Sequence, residues 1–218
     1  MTVIKQDGEY SIIKKDAFYE VYKGKEVLKT PNGVVAHTRY LPVAEQLMTD
    51  WKEQGYDSYC SPSSLLSYHF TMMEYFASMP KEDIVNMLNS LNWEKGWSFN
   101  GCPSPNPHVM MKWMIFFGQR NTKIELVQKW LNNLTHMQLV AATCVYNAFM
   151  DFNVSYYMAV VVEEVPEEEQ EDAIREFYDF YSLYDDLFDY DSFLAVFQRF
   201  RLYYGIHFKE DGAHLPQD

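Results

Sequence analysis

Three cysteines and six histidines are the residues of this chain that are most able to act as nucleophiles or soft metal ligands. Cys60, Cys102 and Cys144 are evenly spaced, 42 residues apart, but their surroundings differ: Cys60 lies in a turn-like Ser-Tyr-Cys-Ser-Pro segment and Cys144 in an apolar, helix-like one. An odd number of cysteines without close pairs argues against a disulfide framework or a zinc site, and favours a reducing compartment. The chain contains no phosphate-binding loop, dinucleotide fingerprint or nucleophile elbow.

The histidines do not suggest a metal centre either. His69 falls on the apolar face of a predicted helix, where a buried histidine with satisfied hydrogen bonds is the simplest interpretation. His37, His136 and His207 have no second histidine four residues away, which a helical zinc pair would require. We therefore predict no catalytic residue, no metal and no cofactor.

Acidic residues are concentrated between Glu163 and Asp191, where thirteen of them accompany a single basic residue, Arg175. Four of them carry the oxygen ligands that calcium prefers: Asp185, Asp186, Asp189 and Asp191. That loop lacks the glycine and the distal glutamate of an EF-hand. We interpret the run as a solvated helix face, with a docking surface for a basic partner as the alternative.

Composition limits the class of protein and of partner. With 48% hydrophobic residues over 218 positions the chain can build a buried core, and its net charge of -13 disfavours nucleic acid and anionic membranes as partners. The longest apolar stretches, 109–118 and 154–162, are shorter than the roughly 18 to 20 residues of a membrane span, so no membrane insertion is expected. The amino terminus resembles neither a secretion signal nor a transit peptide, which predicts a cytoplasmic protein or an already processed chain.

The hydrophobic period changes from about two residues to about 3.6 within the segment 19–56. Candidate strands, rich in β-branched and aromatic residues, precede this change: Tyr10–Ile13, Phe18–Tyr22, Glu26–Lys29 and Val34–His37. Pro42 fits the first turn of a helix and Gly55 its C-cap. We predict an α+β chain with a small β-rich N-terminal domain over residues 1–40, a mostly α-helical orthogonal bundle over residues 41–218, and a helix over 42–54 that packs across the junction.

Helices are predicted for most of the remaining chain. They are expected from Ser61-Pro62 to just before Pro80, from Pro80 onward, over 109–117, near 123–133 and 136–150, over 154–165, from Pro166 onward, and from Phe193 to an end at Gly205. Thr122-x-x-Glu125 and Thr135-x-x-Gln138 match the reciprocal cap that starts a helix. The segment 92–107, with two glycines, three prolines and two tryptophans, is a candidate domain boundary or functional loop.

Several residues of the first third of the chain match one family in order and spacing: Gly24, Lys25, Leu28, Lys29, Thr30, Pro31, Gly33, Leu41, Pro42, Ala44, Trp51 and Gln54. Through them the chain resembles the assembly chaperones that hold the alpha subunit of the ATP synthase catalytic sector. The resemblance implies a non-catalytic protein that covers apolar surface on an unassembled client and releases it when the neighbouring subunit competes.

The second half of the chain carries a thinner resemblance, through Leu134–Leu139, Ser155, the acidic segment 166–172 and the run from Ala173 to Tyr178. The resemblance implies a role in client handling for Glu176, and we take Glu176, Tyr178 and Asp179 as candidate partner-binding residues. Asp179 replaces the family's glutamine, and Leu183-Tyr184 replaces its Trp-Gly.

Two functions of different classes therefore remain open. The first is an assembly chaperone whose partner is a protein client, the alpha subunit of the F-type ATP synthase by resemblance. The second is a small cytoplasmic hydrolase or ligand-binding protein that uses the segment 92–107 as a pocket lid. The oligomeric state does not follow from the sequence.

Overall fold

The computed structural model describes residues 1–89, 124–149, 152–182 and 189–210. Its first 38 residues form a five-stranded antiparallel sheet in the order β1-β2-β3-β4, with β5 joined to the same edge of β3 as β4. The strands are β1 (Thr2–Asp7), β2 (Tyr10–Lys15), β3 (Phe18–Lys23), β4 (Glu26–Val27) and β5 (His37–Thr38). Helices follow, so the α+β prediction is confirmed.

Two-residue turns at equal spacing connect the first four strands. Gly8, Asp16 and Gly24 each open a turn with a positive φ, of 62°, 52° and 58°. Glycine adopts this conformation without steric cost, and aspartate tolerates it better than most residues. The eight-residue interval gives β1, β2 and β3 equal lengths of six residues.

The segment between β4 and β5 is a compact arch. Thr30 N–H donates to the Val34 carbonyl (2.8 Å), Gly33 N–H donates back to the Thr30 carbonyl (2.8 Å), and Ala36 N–H donates to the Leu28 carbonyl (2.9 Å). The Thr30 hydroxyl also accepts from Val34 N–H at 3.2 Å. These bonds turn the chain back on itself. Of the strand predicted over Val34–His37, only His37 belongs to β5, and Val35 forms an isolated bridge with Lys29.

Helix α1 (Leu41–Gln54) packs on the sheet and begins one residue earlier than predicted. Its buried apolar face consists of Val43, Ala44, Leu47, Met48 and Trp51. Trp51 meets the ring of Tyr10 edge-on, with centroids 5.5 Å apart. Gly55, at φ 82°, ends the helix as predicted. Through α1 the sheet and the helices share a continuous hydrophobic core.

The helical part contains α2 (Leu65–Thr71), which continues into a π-turn over Met72–Phe76, followed by α3 (Lys81–Asn89), α4 (Ile124–Asn133), α5 (His136–Phe149), α6 (Phe152–Glu164), α7 (Gln170–Tyr181) and α8 (Tyr190–Glu210). Short 3₁₀ turns cover Tyr56–Cys60 and Glu167–Glu169. None of the described helices is both long enough and apolar enough to cross a membrane.

Two further local predictions are confirmed. The reciprocal cap of α5 forms, because Thr135 N–H donates to Gln138 Oε1 (2.9 Å) and Gln138 N–H donates to Thr135 Oγ1 (3.3 Å). The helix expected over 154–165 is α6.

One strand is not predicted from the sequence, and two predicted helix boundaries differ from the structure. Strand β1 was not predicted, since its six residues are all exposed and it forms by pairing with β2 alone. Helix α2 begins at Leu65 rather than at Ser61-Pro62, because Ser64 caps it by accepting from Leu66 N–H at 3.3 Å. Helix α8 runs through Gly205 instead of ending there. Gly205 faces Val162 of α6, and a Cβ atom at this position would make an ordinary van der Waals contact with that side chain.

The predictions for the segment 92–107, the helix over 109–117, the cap at Thr122 and the side chains of Asp185 and Asp186 lie outside the described residues.

Candidate functional site

The three candidate partner-binding residues lie on α7 and face solvent to different degrees. Glu176 and Asp179 are exposed, whereas Tyr178 is half-buried. The ring of Tyr178 packs against Tyr190 and Phe193 at the start of α8, with centroid distances of 5.3 and 5.5 Å. Helix α7 thus holds the two carboxylates at the surface, and Tyr178 packs against the core beside them.

The buried side of α7 holds the helix in place, and so fixes the position of Glu176 and Asp179 on its exposed side. Ile174, Phe177 and Phe180 are fully buried, and Phe177 stacks on Tyr157 of α6 with ring centroids 4.1 Å apart. Burial raises the pKa of Tyr157, and the nearby Glu176 carboxylate raises it further. Glu176 therefore borders the buried stripe, as its helical position predicts.

Most of the acidic run is exposed in the part that the structure describes, and Glu163 is the half-buried exception there. Ten of its carboxylates are exposed: Glu164, Glu167, Glu168, Glu169, Glu171, Asp172, Glu176, Asp179, Asp189 and Asp191. The guanidinium of Arg175 lies over the ring of Tyr190, 4.0 Å from its centroid. These carboxylates are exposed, as both the solvated-face and the docking-surface interpretations require, and a basic partner could contact them.

Charge is divided unevenly along the chain. Residues 1–40 carry seven lysines and arginines against five acids, a net charge of +2, so residues 41–218 carry -15. The acidity of the chain therefore lies in residues 41–218 and not in the sheet.

The buried histidine and cysteine are unsuited to nucleophilic catalysis. His69 Nε2 lies 3.0 Å from the His37 carbonyl oxygen, which can only accept, so Nδ1 accepts from the Tyr203 hydroxyl at 3.3 Å. Burial lowers the pKa of His69 to about 4 and raises that of the Cys144 thiol to about 12. Both side chains are only 4% exposed. In the described ranges no three histidine, cysteine or acidic side chains come together as a metal site would require.

A buried ion pair that sequence reasoning missed joins α1 to α8. Asp50, with no exposed surface, accepts from Arg199 Nη2 (2.7 Å) and Nε (3.1 Å), from Leu65 N–H (2.7 Å) and from Gln46 Nε2 (2.9 Å). The available signal was an acid placed between Leu47 and Trp51 on the apolar face of α1, since isolated buried charges are rare.

A groove of about 660 Å³ opens beside this ion pair. It is lined by the first turns of α1, the end of α6, the start of α7 and the second half of α8. Its apolar wall includes Val162, Leu202 and Ile206. Its polar lining includes Glu167, Gln170, Arg199 and Arg201.

In comparisons with known proteins, no family model, no curated protein and no solved structure matches the chain.

Proposed function

We propose that this protein is a non-catalytic assembly chaperone, and that its client is an unassembled alpha subunit of the F-type ATP synthase. The observation that carries the proposal is the arrangement of the residues through which the chain resembles that family. Leu28, Thr30 and Gly33 belong to the hydrogen-bonded arch, and Trp51 anchors α1 on the sheet. These matching residues are therefore neighbours in one structural unit, which supports the proposal.

The client-binding surface in this proposal is the exposed side of α7. Glu176 and Asp179 supply carboxylates for basic client residues, and Tyr178 lies between them in sequence with its ring packed against Phe193. Complementary charge accelerates encounter and suppresses wrong partners. The net charge of -15 on the helical part supports a basic client surface.

The proposal places the activity in the cytoplasm. Cys60 and Cys144 are both free thiols, in keeping with the reducing compartment that the cysteine count favours.

A direct test mixes the purified chain with the alpha subunit at equal concentration while the subunit is diluted from denaturant. The expected result is suppression of light scattering at near-stoichiometric amounts, together with a complex that elutes as one species. Unchanged aggregation at a twofold excess of the chain would overturn the proposal.

Two charge reversals test the surface within that assay. Glu176 borders the aromatic stripe, whereas Glu168 lies in the 3₁₀ turn before α7, and both are exposed. Losing a desolvated charge pair costs about 2 to 5 kcal/mol, which weakens binding by a factor of roughly 30 or more. We expect this loss for Glu176→Lys and much less for Glu168→Lys. Equal weakening by both variants would mean that general acidity, and not Glu176, governs capture.

A further inference from the structure

Three aromatic rings meet at the surface where the 3₁₀ turn after α1 packs against α2. They belong to Tyr56, Tyr59 and Phe70, which we call the aromatic cluster. The ring centroids of the two tyrosines are 5.6 Å apart, and they lie 6.0 and 6.1 Å from the centroid of Phe70. Phe70 is buried and forms the base of the cluster, whereas both tyrosines are half-buried and so keep part of their surface in solvent.

Two carboxylates flank the aromatic cluster. Asp57 is exposed and lies between the two tyrosines in sequence, and Glu74 follows Phe70 by four residues, about one helical turn. Glu74 Oε1 accepts from Asn32 N–H of the arch at 2.8 Å, which holds this side chain in place. Burial raises the pKa of the Tyr56 hydroxyl, and the nearby Glu74 and Asp57 carboxylates also raise it. The cluster therefore has a negatively charged rim.

The aromatic cluster lacks a cation of its own. No lysine or arginine occurs in residues 53–80. In the described part of the chain, Asp57 and Glu74 form no ion pair and no cation lies over a ring of the cluster. Elsewhere a half-buried ring does have one, since the guanidinium of Arg175 lies 4.0 Å from the ring centroid of Tyr190. The cluster thus offers rings and carboxylates to a cation from another molecule.

We propose that the aromatic cluster binds an arginine side chain of a partner protein. The guanidinium lies over the tyrosine rings, and its N–H groups donate to the carboxylates of Asp57 and Glu74. Arginine fits better than lysine, because a planar guanidinium stacks on an aromatic face and donates from its edge at the same time, whereas an ammonium is a compact charge. A single contact of this kind at a surface is weak, so it belongs to a larger interface, where arginine is enriched. The proposal does not depend on the client proposed for α7, which is a different surface.

The test uses four synthetic peptides of the form N-acetyl-Ala-X-Ala-amide, in which X is arginine, citrulline, lysine or trimethyl-lysine. Citrulline has the shape of arginine without its charge, and trimethyl-lysine is a cation without N–H donors. Binding to the full chain is followed by NMR shifts of the Tyr59 ring protons. We expect the arginine peptide to bind more tightly than each of the others by a factor of about three or more. A smaller preference over any of them, or no saturable shift with the arginine peptide, would overturn the proposal.

Two pairs of matched variants connect the binding to its residues. Tyr59→Leu removes a ring of the cluster, and its control Tyr75→Leu removes an exposed ring outside the cluster. Glu74→Gln removes a charge but keeps an oxygen that can accept from Asn32, and its control Glu82→Gln removes an exposed charge on α3. Tyr59→Leu and Glu74→Gln should each weaken the arginine peptide by a factor of about three or more, and the controls should leave its affinity unchanged. Such a loss with either control, or its absence with Tyr59→Leu or Glu74→Gln, would contradict the assignment. Thermal melting verifies that all four variants are folded.

Discussion

Arg199 donates from Nη2 and Nε to the two carboxylate oxygens of Asp50, across 149 residues of sequence. Asp50 is fully buried and the Arg199 side chain is 14% exposed. The same carboxylate accepts from the first N–H of α2, so one acid connects α1, α2 and α8. We call Asp50 together with Arg199 and the Leu65 N–H group the buried hub.

Asp50→Ala should lower the free energy of unfolding by about 3 to 5 kcal/mol, since it leaves a largely buried guanidinium without its counter-charge. Urea denaturation at pH 7 measures the change. The matched control is Asp7→Ala, which removes an exposed ion pair with Lys52 (2.6 Å) and should cost less than about 1 kcal/mol. Similar costs for the two variants would mean that the hub is not stabilising.

Trp51→Ala should destabilise the chain by about 3 to 5 kcal/mol, because it removes a large side chain that is 7% exposed and packed against Tyr10. That loss is a large part of a typical domain stability, so little soluble protein is expected. Tyr75, which is 59% exposed, provides the control Tyr75→Ala. A melting curve for Trp51→Ala that matches the parent protein would remove Trp51 from the core.

Stability should fall as the pH is lowered from about 6.5 to about 4, through His69. Burial lowers the pKa of this imidazole to about 4 in the folded chain, against 6.5 for the unfolded chain. Between these values the unfolded state binds more protons, so acid favours unfolding, by about 1.4 kcal/mol for each pH unit.

Denaturant titrations at pH 7, 6 and 5 test this dependence. His69→Gln should show a flatter dependence of stability on pH, since it removes the buried imidazole. A parent slope that survives in His69→Gln would assign the effect to other groups.

Cys60 and Cys144 should react with a thiol reagent at very different rates. The variant Cys102→Ser tests this, because these two are its remaining cysteines. Cys60 is exposed and should react at once in the native protein. Cys144 is buried with a raised thiol pKa, so it should react only as the chain unfolds. The absorbance of the chromophore released by the reagent, followed over time, separates the fast reaction of Cys60 from the slow reaction of Cys144. Fast reaction of both thiols would contradict the packing of α5.

The features that could be predicted from the sequence are those that depend on near neighbours. The turn at Gly24, the cap formed by Thr135 and Gln138, and the end of α1 at Gly55 each involve groups within a few residues. The exposure of Glu176 and Asp179 followed from helical spacing in the same way.

The features that were missed depend on partners far away in sequence. Asp50 became buried because Arg199 lies opposite it, and periodicity within α1 carries no information about α8. The groove is assembled from four helices, so Gln170 and Arg201 could not be placed together beforehand. Gly205 suggested a helix end on local grounds, yet α8 continues through it and packs beside Val162.

The separation of Asp50 from Arg199 also has a consequence for the order of events on the ribosome. At about 5 to 20 residues per second, the chain grows for roughly 7 to 30 s after Asp50 is made before Arg199 is added. Throughout that interval the carboxylate lacks its counter-charge, and burying it alone is unfavourable. The sheet and α1 can therefore associate early, whereas the docking of α1 on the helical part awaits the last helix to be synthesised.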